Sequence, residues 1–156
     1  MSSLASVRLV TLEAVRAARE RIAPHVHVTP VLHSRTLDTR ASAEVHLKAE
    51  IFQRAGAFKA RGAFSRLTLL SEGERARGVV AFSSGNHAQA VALAARELGM
   101  HATIVMPKDA PAAKIAGTRG YGADVVLYER GVESREAIAA RLVDETGAIL
   151  VPPFDD

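Results

Sequence analysis

From Gly78 onward, short apolar runs alternate with segments in which apolar residues recur every three or four positions. The runs Val79–Phe82, Ala102–Met106, Val125–Tyr128 and Ala148–Val151 are nearly all apolar, as strands covered on both faces of a parallel sheet should be. Between them, Asn86–Leu98, Ala112–Arg119 and Ser134–Thr146 read as helices, each with a glycine at or near its end: Gly99, Gly120 and Gly147. Three strand–helix repeats with right-handed crossovers predict an α/β fold: an open parallel sheet of about four strands with flanking helices.

The N-terminal part is less regular. Thr11, followed by Leu12, Val15, Ala18 and Ile22, reads as the cap of an amphipathic helix that ends before Pro24. Val28–Leu32 is extended, Ser34 caps a short helix to Ala41, and Glu44–Glu50 alternates like a strand. A helix is expected from about Phe58 to Leu70, ending in the polar turn Ser71-Glu72-Gly73. A subdomain boundary near Ser71–Arg77 then divides the chain into 1–75 and 76–156, the second a small α/β domain.

Composition narrows the classes. The 156 residues are 48% hydrophobic and 24% charged, which is globular and soluble. Twenty basic residues against 17 acidic ones are interspersed, and only 4% of residues are aromatic, so nothing points to a nucleic-acid partner. No apolar run approaches the ~20 residues that span a bilayer. The absence of cysteine excludes disulfides, thiolate metal sites and cysteine nucleophiles, and fits a cytoplasmic protein. Arginine makes up 16 of the 20 basic residues, which leaves four lysines: Lys48, Lys59, Lys108 and Lys114.

That scarcity draws attention to Lys59, in Ala57-Phe58-Lys59-Ala60-Arg61-Gly62-Ala63. A lysine just inside a helix N-terminus meets the positive end of the helix dipole, which with partial burial favours the neutral amine that condenses with an aldehyde. Taken alone, a lysine near a helix start is most often a solvated charge. The second segment is Ser83-Ser84-Gly85-Asn86-His87, where an apolar strand turns into a helix. Loops at the carboxyl ends of strands in open sheets are the usual ligand sites. Ser84 or Asn86 is expected to cap the helix, and Gly85 permits close approach of an anion to the backbone N–H groups. The same residues also make an ordinary capped turn.

Together the two segments resemble the cofactor-lysine motif and the asparagine loop of fold type II pyridoxal-phosphate enzymes. Thr29–Leu32, Leu47–Glu50, Met106–Pro111 and Tyr121–Val126 extend the likeness to the serine/threonine dehydratase and serine racemase branch. Ala60 and His87, rather than Asp and Thr, set the chain apart from cysteine synthases. The resemblance implies pyridoxal 5'-phosphate as cofactor, small amino acids as substrates and a homo-oligomer, and it makes residues 1–75 an incomplete part of a larger domain. It implies deamination of L-threonine or L-serine to a 2-oxo acid, with amino-acid racemisation as the alternative. A non-catalytic module that keeps the anion-binding loop is a further alternative. Lys59 would carry the cofactor and act as the proton-transfer base, with Phe58 packed near the cofactor and Asn86 bonded to its ring. Ser83, Ser84, Asn86 and His87 would hold the substrate carboxylate, Ser84 serving also as acid/base on the opposite face.

The chain departs from that pattern in places. Ala55 and Ala57 stand where the dehydratases usually carry hydroxyl side chains. Family members also continue for about as long again, with a glycine-rich loop for the cofactor phosphate, so these 156 residues by themselves are expected to bind the cofactor weakly and to be inactive. The pair His25 and His27, with His33 nearby, reads as surface histidines and not as a metal site.

Overall fold

A computed structural model describes residues 10–154. Helix α1 (Leu12–Ile22) starts where predicted, with the Thr11 hydroxyl accepting from Ala14 N (3.2 Å). Strands β1 (Val31–His33) and β2 (His46–Lys48) pair antiparallel, with His33 opposite His46. Between them lies α2 (Arg35–Ala41), capped by Ser34 and closed by Ser42 in the left-handed region at φ 51°. Helix α3 (Lys59–Leu67) follows. The expected turn at Ser71 is instead the start of α4 (Glu72–Arg77). The Ser71 hydroxyl accepts from Glu74 N, and the Glu74 carboxylate accepts from Ser71 N, so the pair forms a capping box that outweighs Gly73.

Gly78 closes α4 at φ +77°, and a Cβ there would lie 2.7 Å from His101 O, so only glycine lets the chain enter the sheet at this point. Strands β3 (Val79–Phe82), β4 (Ala102–Pro107), β5 (Asp124–Tyr128) and β6 (Ile149–Leu150) form a parallel sheet in the order β5-β4-β3-β6. Helices α5 (Asn86–Glu97), α6 (Ala112–Gly120) and α7 (Arg135–Thr146) connect them. Gly147 closes α7 in the left-handed region as expected; after α6 that role falls to Gly122 (φ +84°), because Gly120 is still helical.

The central strand β3 is buried throughout, and its alternation feeds two cores. Val79 and Ala81 join Ile104 and Met106 beneath α5, while Val80 and Phe82 join Val105, Tyr128 and Ala139 of α7 on the opposite face. Strand β5 departs from the expected two-sided burial: Asp124 and Leu127 are exposed, as befits an edge. The N-terminal part joins the first core through α3, whose Ala60, Ala63, Phe64 and Leu67 are buried with Ala88, Val91, Ala92 and Ala95 of α5. Alanines on α5 let the helices approach closely, and burial of a side chain such as Phe64 contributes about 1.5–3 kcal/mol.

Because α5 and α7 lie on opposite faces, the strand order reverses direction at β3, with β4 on one side and β6 on the other. In open α/β sheets such a switch point leaves a crevice outside the carboxyl ends of the strands. Here those ends are Ser83 after β3 and Val151 after β6. Among the described residues no helix is long and apolar enough to cross a membrane.

Candidate functional site

The crevice is a cavity of about 400 Å³, lined by Lys59, Arg66 and Leu69 of the α3 segment, His87 of α5 and Val151–Phe154 beyond β6. It thus brings Lys59 of the first motif and His87 of the second together with the segment after β6; Ser83, Ser84 and Asn86 do not line it. A wider hollow of about 880 Å³ between α1 and the Lys48–Arg61 face contains none of the predicted site residues.

Lys59 is the first residue of α3, whose N-terminus has no side-chain cap. Its Nζ donates to Pro153 O (2.9 Å) and lies 5.6 Å from the Phe58 ring centroid. The entry to the helix is set by Gln53, which is buried and bonded to His27 in both directions: His27 N donates to Oε1 and Nε2 donates to His27 O, each at 2.9 Å. Ala55 and Gly56 follow in the left-handed region (φ 57° and 68°) and turn the chain into α3. Phe58 itself is exposed and is not part of the cavity wall.

The second motif departs from expectation in its capping. Neither Ser84 nor Asn86 caps α5: the N-cap is Gly85, and no side chain bonds to the first turn. The Ser83 hydroxyl accepts from Gly85 N (3.3 Å), and the first intrahelical bond runs from Gln89 N to Gly85 O (3.3 Å). The N–H groups of Asn86, His87 and Ala88 precede that bond, an arrangement that favours an anion. His87 is buried, with Nε2 3.1 Å from Val151 O, so its ring ties α5 to the segment after β6 while forming part of the cavity wall. Ser83 and Ser84 are half-buried at the end of β3, outside that wall.

Asn86 Oδ1 accepts from Lys114 Nζ (2.7 Å), which also donates to Gln89 Oε1 (3.0 Å). Lys114 is distant in sequence, but α6 packs beside α5 and brings its ammonium to the loop. Sequence spacing gave no sign of this contact.

A cluster of charges fixes α3 from the other side. Arg61, two residues beyond Lys59, donates through Nε and Nη2 to both carboxylate oxygens of Glu50 (2.9 and 2.8 Å), and the Thr29 hydroxyl donates to the same carboxylate. The Arg61 hydrogen bond is the largest cause holding the Glu50 carboxyl down at about 2. Lys48 Nζ donates to Thr29 O (2.6 Å), so Lys48 serves the hairpin and not the crevice.

Residues 22–156 match the family described as pyridoxal-phosphate dependent enzyme. The chain is 54% identical over 138 residues to an L-threo-3-hydroxyaspartate ammonia-lyase of Saccharomyces cerevisiae, covering 88% of this chain and 42% of that protein. It is 45% identical to an L-threonine ammonia-lyase of Thermotoga maritima, covering 95% of this chain and 37% of the relative. A solved structure of maize serine racemase superposes with a TM-score of 0.89 at 43% identity, over 94% of this chain and 45% of the maize chain. The chain therefore spans less than half the length of the proteins it resembles.

Proposed function

Because the chain belongs to the pyridoxal-phosphate dependent enzyme family, we propose that it supplies the cofactor lysine and the substrate loop of an ammonia-lyase acting on L-threonine or L-serine. The observation that carries this reading is the meeting of Lys59 with His87 and the uncapped end of α5 at the switch point.

The residues present fit the cofactor. Lys59 offers a primary amine that donates to a backbone carbonyl, Pro153 O, so a covalent bond at Nζ would leave no carboxylate unpaired. The cavity volume of about 400 Å³ is within the range of small-molecule sites. When bound, pyridoxal phosphate supplies an aldehyde for the lysine amine and an electron sink for chemistry at the substrate α-carbon. Lys59 Nζ holds it and then moves the proton at that carbon. Asn86, whose Oδ1 accepts from Lys114 Nζ, would bond to its ring, and Phe58 would pack near it. The substrate carboxylate binds at the start of α5 among Ser83, Ser84, Asn86 and His87, where N–H groups and the helix dipole favour an anion. Because the His87 ring is tied to Val151 O, the part of His87 that serves this purpose is its backbone N–H. By the resemblance to the family, the Ser84 hydroxyl would carry a proton to or from the substrate on the face opposite Lys59.

The division into 1–75 and 76–156, homo-oligomeric assembly and a cytoplasmic location belong to the same reading. Similarity to maize serine racemase favours racemisation as the second reading. Borohydride reduction in the presence of pyridoxal phosphate, followed by peptide mapping, is expected to label Lys59. A label on Lys48, Lys108 or Lys114 refutes the assignment. Release of 2-oxobutanoate from L-threonine supports elimination, and D-serine formed from L-serine without oxo acid replaces it with racemisation.

A further inference from the structure

We propose that the β1–β2 hairpin carries a surface site for a borderline divalent cation of the Zn²⁺ class, with His33, His46 and Glu44 as its ligands. The three side chains share one face for simple geometric reasons. His33 and His46 are directly opposite in the antiparallel register, and Glu44 precedes His46 by two positions, one full strand period. One donor atom from each lies within 4.8 Å of the others. Glu44 Oε1 is 3.5 Å from His46 Nε2 and 4.0 Å from His33 Nδ1, and the two imidazole rings meet edge to face at 4.5 Å. A tetrahedral Zn²⁺ at its usual ligand distances separates its donors by about 3.4 Å, so small rotamer adjustments close the site.

The backbone is already set for this. Val45 N donates to Asp38 Oδ1 (2.7 Å), which holds the segment from Glu44 to His46 against α2, and Ser42 turns the chain back towards β1. The neighbouring cation Lys48, two residues along the same face, is drawn off to Thr29 O (2.6 Å). All three ligand side chains are exposed, which leaves the remaining coordination positions to water. Two imidazoles and one carboxylate suit Zn²⁺, Ni²⁺ or Cu²⁺ and not Mg²⁺ or Ca²⁺, which take oxygen ligands. Of the three histidines read in the sequence as no metal site, His25 stacks on Phe64 (4.9 Å) and His27 Nδ1 lies 3.1 Å from Phe52 O, while His33 meets Glu44 and His46 instead. A bound ion would join the end of β1 to Glu44 and the start of β2 and so close the β1–α2–β2 excursion.

Calorimetric titration of the untagged chain with ZnCl₂ tests this, with thermal melting and Co²⁺ visible absorption as second readouts. Saturable one-to-one Zn²⁺ binding is expected, with tetrahedral or five-coordinate Co²⁺ bands and a Tm raised by about 5 °C at free metal near a hundred times Kd. His33→Gln/His46→Gln should abolish all three signals, Glu44→Gln should weaken affinity about tenfold, and His25→Gln/His27→Gln should leave it unchanged. Undiminished binding by His33→Gln/His46→Gln, equal binding of Mg²⁺, or no saturable Zn²⁺ binding overturns the proposal. The last result would mean that Glu44 serves only as an ion-pair partner of the two histidines.

Discussion

Replacing Glu50 by Gln removes a charge whose effect on stability should follow pH in a defined way. Arg61 and Thr29 bond the Glu50 carboxylate, and its pKa falls from 4.5 to about 2 in the folded chain. A depressed carboxylate stabilises the fold above its unfolded pKa, and that contribution is lost as pH falls from about 4.5 towards 2. The fall corresponds to at most about 3 kcal/mol. The Glu50 and Arg61 side chains are 18% and 33% exposed, so screening leaves about 1–2 kcal/mol. Urea denaturation should therefore find Glu50→Gln less stable than the parent by about 1–2 kcal/mol at pH 7. More than half of that gap should have vanished at pH 3. A gap of the same size at both pH values would refute the reasoning, because the loss would then come from packing and not from the charge. Since Arg61 lies one turn or less from Lys59, the same variant tests how firmly the helix that carries Lys59 is held.

Two other outcomes follow from the site and the core. Ser84→Ala and Asn86→Ala should each impair turnover in the active enzyme; Ser84→Ala should shift stability by no more than about 0.5 kcal/mol, since its side chain does not cap α5, and Asn86→Ala, which loses the Lys114 bond, by about 0.5–1.5 kcal/mol; full turnover with threonine and serine would make the turn purely structural. Phe64→Ala should destabilise by about 3–5 kcal/mol in denaturant titrations, because Phe64 is fully buried between α3 and α5 and stacked on His25; a loss under about 1 kcal/mol would mean that the two helices do not share a core.

Local pattern carried much of the fold. The strands β3, β4 and β5 and the helices between them were legible because apolar runs and helical spacing are local signals, and because Thr11, Ser34 and Ser134 are strong N-caps. Helix α4 was read as a turn because Gly73 sits within a short helix, although the Ser71–Glu74 spacing is a capping-box signature that identifies it. The two chemical motifs were legible as residue types in order. Their contacts were not: Lys114 reaches Asn86, Pro153 accepts from Lys59 and His87 bonds to Val151 only because of sheet order. Sheet order is a long-range property. The exposed face of β5 has the same origin, since an apolar run does not say whether its strand lies at the centre or the edge.

The walls of the crevice are also anchored in different ways. Lys59 stands on a helix held twice, by the buried Ala60–Ala63–Phe64–Leu67 face against α5 and by the Arg61–Glu50 pair against the hairpin. The start of α5 is fixed by the buried His87 ring and by the Lys114 bonds to Asn86 and Gln89. The third wall, Pro152–Phe154, follows a strand of only two residues, with Phe154 exposed and set edge to face against Phe82 at 6.4 Å. Preorganised sites place their reacting groups on rigid elements and leave access to the less constrained ones. In this chain Lys59 and the start of α5 stand on helices held by buried contacts, and the Pro153 carbonyl that accepts from Lys59 Nζ lies on the segment after the two-residue strand β6. Under the proposed function, attachment of the cofactor at Lys59 would therefore break the bond to Pro153 O and leave the core of the sheet undisturbed.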